Sequence, residues 1–123
     1  MAMQEIEKVN LAQKLELITT FWTPKIIGEL NDSYIKVVKL HGEFVWHHHA
    51  EEDELFLVLK GRLVIQLRER NISLEPGEFV IIPHGVEHCP LAADEVHILL
   101  LEPKTTLNTG TVRNERTAAA EWI

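Results

Sequence analysis

Three consecutive histidines, His47, His48 and His49, are followed by Glu54 and, much further along, by His88. Side chains on a strand alternate between its faces, so His47 and His49 share one face and His48 takes the other. Glu54 opens the apolar run Leu55-Phe56-Leu57-Val58-Leu59, which reads as the next strand. Three imidazoles and a carboxylate brought to one point suit a borderline divalent metal such as Zn, Fe, Ni, Mn or Cu. Convergence of these groups is the central expectation. His48, of opposite parity, is assigned a surface or interface role.

The elements that must position these groups are mostly strands. Leu11, Leu15 and Ile18 recur at helical spacing, which predicts a short amphipathic helix over about 6–21, with Pro24 at or after its end. From Tyr34 the pattern turns to β. Ile35 to Leu40, Phe44 to His49, Leu55 to Lys60, Leu63 to Leu67, Ile72 to Leu74, Phe79 to Ile82, Val86 to Leu91 and Val96 to Leu101 read as strands. Lys60-Gly61 reads as a hairpin turn, and Ala92 to Glu95 as a break between the last two strands. Many short strands without intervening helices predict an all-β sandwich or barrel. A polar tail, residues 104–123, is expected to dock as an arm or short helix. The run Leu55 to Leu59 is apolar on both faces, so both need cover, from the N-terminal helix or from a second subunit.

Bulk properties narrow the function classes. The 123 residues fit one domain, and 46% hydrophobic with 25% charged residues marks an ordinary globular chain. A net charge of −7 argues against a nucleic-acid surface, which needs basic groups to neutralise phosphates. No apolar stretch approaches the roughly 20 residues that span a bilayer, so no membrane role is expected. Met1-Ala2-Met3-Gln4-Glu5 lacks the features of a secretory leader, and Cys89 is the only cysteine. A reducing cytoplasm is the expected compartment.

The spacing of the chemical residues resembles the cupin superfamily. Gly42, His47-x-His49, Glu54 and Gly61 follow its first motif; Gly77, Pro83-x-Gly85 and His88 follow its second. The chain departs from the pattern in placing the first Gly one residue nearer the His pair, and in having Ala92 where an Asn often ends the second motif. The resemblance implies a double-stranded β-helix (jelly-roll barrel) with its core over about 30–103. It implies that His47, His49, Glu54 and His88 hold one divalent transition metal inside the barrel, in a homodimer. One hairpin would supply the first three ligands, with His88 arriving from across the barrel.

For the remaining residues the plain readings are preferred. His84 belongs to a turn, His41 and His97 to strands, Cys89 to the core, and Glu51, Glu52 and Asp53 to a solvated acidic turn. The function implied is metal-dependent chemistry on a small oxygen-rich molecule, of dioxygenase, decarboxylase or isomerase type. The alternatives are a non-catalytic small-molecule binding module and a sugar-phosphate isomerase-like protein, the latter resting on fold analogy alone. Arg62, Arg68 and Arg70 read as surface residues, which leaves the barrel short of phosphate-binding cations. No catalytic base beyond the ligands is evident.

Overall fold

The computed structural model describes residues 6–123. Met1 to Glu5, read above for the absence of a leader, lie outside the described residues. In chain order the elements are α1 (Leu11–Glu16), β1 (Lys25–Leu30), β2 (Ser33–Glu43), β3 (Glu54–Lys60), β4 (Leu63–Leu67), β5 (Asn71–Leu74), β6 (Phe79–Ile82), β7 (His88–Pro103) and β8 (Glu121–Trp122).

The organising element is β7, a single long strand where the sequence suggests two. Residues Ala93 to Glu95 do not end it; the ladder to β2 steps past them, from Val96 opposite Leu40 to Ala92 opposite Gly42. A polar interruption has become an irregularity in a continuous strand. Along one edge of β7 runs β2. Along the other come β3, paired from Leu101 to His97, and then β4, paired from Leu91 to His88.

So Lys60-Gly61 is no hairpin: β3 and β4 follow one another along the same neighbour, both antiparallel to it, and do not pair together. Gly61 makes the step between them with φ +84°, and a Cβ there would lie 2.7 Å from the Glu95 carbonyl oxygen. Only glycine fits such an approach. The remaining pairings are β4 with β5, β3 with β6, β1 with β2, and the short β8 parallel to β1; the strand path does not close on itself. The result is the jelly-roll β fold expected, with a short helix.

Alternation sets the two faces. On β3, Glu54, Phe56 and Val58 are buried inside, while Leu55, Leu57 and Leu59 are half-buried on the outer face. The inner core gathers Val38, Leu40, Phe56, Val58, Leu63, Ile65, Ile98 and Leu100 around Trp22. A second cluster on the outside joins Ile18, Ile27 and Val37 to Leu11, Leu15 and Leu59. Helix α1 thus covers part of the outer face.

The helix is shorter than the periodicity predicts. Asn10 caps it by accepting from the Gln13 N–H, and it ends at Glu16. Six residues are too few for an autonomous helix, so the docking of Leu11 and Leu15 is what holds this turn and a half in place. Strand β1, before the predicted barrel start, is an unforeseen addition. It reaches β2 through a two-residue turn in which Asn31 adopts φ 51°. No helix among the described residues is long and apolar enough to cross a membrane.

Candidate metal centre

The histidine row is not a strand. After Glu43 the chain follows β7 loosely: the Phe44 N–H donates to the Pro90 carbonyl at 3.0 Å, and His47 and His88 exchange backbone hydrogen bonds at 3.0 and 2.9 Å. His88 therefore sits beside His47 rather than across the barrel. Nor do His47, His49 and Glu54 share a hairpin, because β3 pairs with β6 and β7. The loop is fixed by what surrounds it. The Gly85 N–H donates to the His49 carbonyl at 2.8 Å, and the Thr111 N–H to that of His48 at 3.3 Å. Gly110 approaches so closely that a Cβ would lie 2.0 Å from the His48 carbonyl oxygen. A further tie links the two motifs: Asp53, expected to be merely solvated, accepts from both the backbone N–H and the Nδ1 of His84, each at 2.9 Å.

These constraints bring the predicted residues together. One donor atom from each of His47, His49, Glu54 and His88 lies within 4.8 Å of every other, and all four residues are buried. Glu54 Oε1 stands 3.3 Å from His49 Nε2 and 3.4 Å from His88 Nε2. These are ion-pair separations; hydrogen-bond geometry is not met, and His49 Nε2, His88 Nε2 and Glu54 Oε1 have no hydrogen-bond partner. Buried polar atoms are nearly always paired, so a convergent set of orphans fits a cation that would take their lone pairs.

The histidine tautomers follow from local geometry. His47 Nδ1 lies 2.8 Å from the Val45 carbonyl, and His88 Nδ1 lies 2.9 Å from the Val86 carbonyl. A carbonyl only accepts, so each Nδ1 carries the hydrogen and each Nε2 presents a lone pair to the centre. Burial, reinforced by the neighbouring His88, lowers the His47 pKa from 6.5 to about 4, so that ring is neutral at ordinary pH. Burial opposes ionisation of Glu54, but the close approach of Glu102, His49 and His88 outweighs it and holds the carboxyl well below the usual range. A carboxylate among imidazoles is the donor set that a divalent transition metal takes.

Lys36 and Glu102 escaped the sequence reading. Lys36 Nζ donates to Glu102 Oε1 at 2.7 Å, with side chains only 3% and 1% exposed. In isolation Lys36 reads as the solvated residue of an alternating strand. Its parity gives it away: Lys36 shares a face with Val38 and Leu40, and Glu102 with Ile98 and Leu100, all buried. One step from the Leu55–Leu101 pair, Glu102 is the inward neighbour of Glu54. Burial and the charge of Glu54 push its carboxyl well above the usual range, against the pull of Lys36. The Glu102 Oε2 atom has no geometrically sound hydrogen bond.

A narrow cavity of about 40 Å³ adjoins these groups, with Trp22, Phe44 and Phe56 among its apolar walls and His47, Glu54 and Glu102 supplying polar ones. Trp22 and Phe44 stack at 4.7 Å with their planes 16° apart. His48 stays out of the cluster, as do His41 and His97; the latter pairs with Glu95 at 2.6 Å. Cys89 is fully buried, and burial raises its thiol pKa.

Comparison with known proteins shows the family of the chain. Residues 35–102 match the cupin domain family. A solved cupin-2 domain containing protein from Shewanella frigidimarina NCIMB 400 is 47% identical and superposes with a TM-score of 0.76, covering 77% of this chain and 93% of that one. An uncharacterized protein of Aquifex aeolicus (strain VF5) is 32% identical over 94 residues, 76% of this chain and 72% of the relative. YdbB, an uncharacterized protein of Bacillus subtilis (strain 168), is 38% identical over 63 residues, 50% of this chain. That match spans little more than half of YdbB, 56% of its length.

Proposed function

The chain belongs to the cupin superfamily, and from that premise we propose that His47, His49, Glu54 and His88 hold one divalent transition metal, and that the protein acts on a small oxygen-bearing molecule. The observation that carries the reading is the set of buried, convergent donor atoms without hydrogen-bond partners. A bound metal would supply Lewis-acid polarisation of an oxygen donor, within dioxygenase, decarboxylase or isomerase chemistry.

The chain's own residues do the rest. The Val45 and Val86 carbonyls orient the rings of His47 and His88. Trp22, Phe44 and Phe56 give the cavity apolar walls. Among the described residues no lysine or arginine lines that cavity, and Lys36, behind Glu102, is paired with it. This weighs against a sugar phosphate, whose phosphate needs free positive charge.

Metal analysis of protein prepared without a tag is the test. We expect about one transition metal per chain, and a loss of at least ~100-fold in affinity in His88→Ala, the upper end of what outer-sphere changes cost metal sites. Full stoichiometry in that variant would refute the assignment. Turnover assays with and without dioxygen then separate an enzyme from a binding module.

The outer face supports a second reading, self-association. Phe79 and Ile81 are 59% and 52% exposed on β6, opposite half-buried Leu57 and Leu55, and β6 pairs only with β3 among the described residues. A free antiparallel edge beside an apolar face is self-complementary about a twofold axis. The occupant we propose is a second copy of this chain.

A further inference from the structure

Among the described residues, Glu102 is the one acidic group facing the cavity that lies outside the four-residue cluster. One of its oxygens is held by Lys36 at 2.7 Å; the other, Oε2, is buried and without a geometrically sound partner. A buried, under-satisfied carboxyl oxygen is costly, and its persistence calls for a partner that arrives from outside. What Oε2 offers a ligand is a hydrogen-bonding atom.

We propose that Glu102, oriented by Lys36, is a second anchor in the cavity, taking a hydroxyl group of the ligand while another oxygen of the same molecule faces the His47–His49–Glu54–His88 cluster. A hydroxyl both donates and accepts, so it suits Oε2 whether or not that carboxyl carries a proton. Glu102 and Glu54 occupy neighbouring inward positions on β7 and β3, so the two oxygens of the ligand belong on adjacent atoms. The walls made by Trp22, Phe44 and Phe56 require the rest of the molecule to be apolar, and the width of the cavity requires it to be small. The class is a compact, uncharged α-hydroxycarbonyl compound or vicinal diol. The inference rests on the metal reading and adds to it the chemistry of the ligand.

The test pairs acetoin, a small α-hydroxyketone, with butanone, which lacks only the hydroxyl, in calorimetric titrations of the metal-loaded protein. Metal content is measured first. The expected result is about tenfold tighter binding of acetoin, the worth of one well-made buried hydrogen bond.

Removing Glu102 alone would strand a buried lysine and endanger the fold. The informative variant is therefore Lys36→Met combined with Glu102→Leu, which replaces the pair by apolar groups of similar size. It should keep its metal while the acetoin preference falls to within about twofold. A variant that keeps both the metal and the tenfold preference would overturn the proposal. So would a metal-loaded wild type that binds the two ketones equally, or one that prefers inorganic phosphate. A wild type that takes up no metal would instead overturn the reading of the centre itself, and with it this inference.

Discussion

The two faces of the sheet formed by β6, β3, β7 and β2 invert the usual expectation. The inner face buries Lys36, Glu54, His88 and Glu102, and the loop beside it adds the buried His47 and His49. The outer face of β6 exposes Phe79 and Ile81 to solvent. Each is an exception to the rule that polar groups face water and large apolar ones do not. Under the proposed function the polar interior serves a ligand, and the bare Phe79 and Ile81 serve a neighbouring copy of the chain.

The sharpest way to break the comparison is to unbalance the inner face. Glu102→Gln leaves Lys36 charged and unpaired, which should cost about 3–5 kcal/mol in denaturant unfolding, whereas the apolar double replacement should be neutral or better. Equal stabilities for the two variants would show that the pair is not sealed from water.

A somewhat smaller effect concerns pH in the metal-free protein. His47 has a folded pKa near 4 against 6.5 unfolded. Between those values only the unfolded chain takes up the proton, so its share of stability is intact above pH 6.5 and is lost as the pH falls toward 4. That share is about 3 kcal/mol at most, from the size of the shift. Glu102 pulls the other way: its raised pKa favours the fold at low pH and gives up that contribution as pH rises. The measurement is therefore the difference between wild type and His47→Gln across this range, and a difference that does not change with pH would discard the His47 assignment.

The mildest perturbation lies outside. Phe79→Lys should alter monomer stability by no more than about 0.5 kcal/mol, yet shift the species seen by light scattering from dimer to monomer. An unchanged mass would remove self-association as the reason for the bare face.

Much of the inner face was legible in the sequence and its supports were not. His47, His49, Glu54 and His88 announce themselves because four ligand-type side chains at those spacings are rare. Lys36 and Glu102 do not, because a lysine in an alternating strand and a glutamate near a strand end are ordinary. Only the parity with Val38 and Ile98 marks them. The false hairpin at Gly61 has a similar cause: a glycine between two apolar runs signals a change of direction, but not whether the second run pairs with the first or continues along a shared neighbour. The helix was overextended since Leu11, Leu15 and Ile18 all face the body, yet backbone helix stops at Glu16 before Ile18 reaches it.

Gly110 carries a consequence for the order in which the protein is made. The His47–His49 loop receives its backbone partners from Gly85, His88 and Thr111, and Gly110 closes over the His48 carbonyl. On the ribosome the ligand-bearing loop emerges well before the segment that seats it. The loop therefore attains its final shape only once Gly110 and Thr111 have emerged, so under the proposed function metal capture follows synthesis of the ligand residues rather than nucleating their fold.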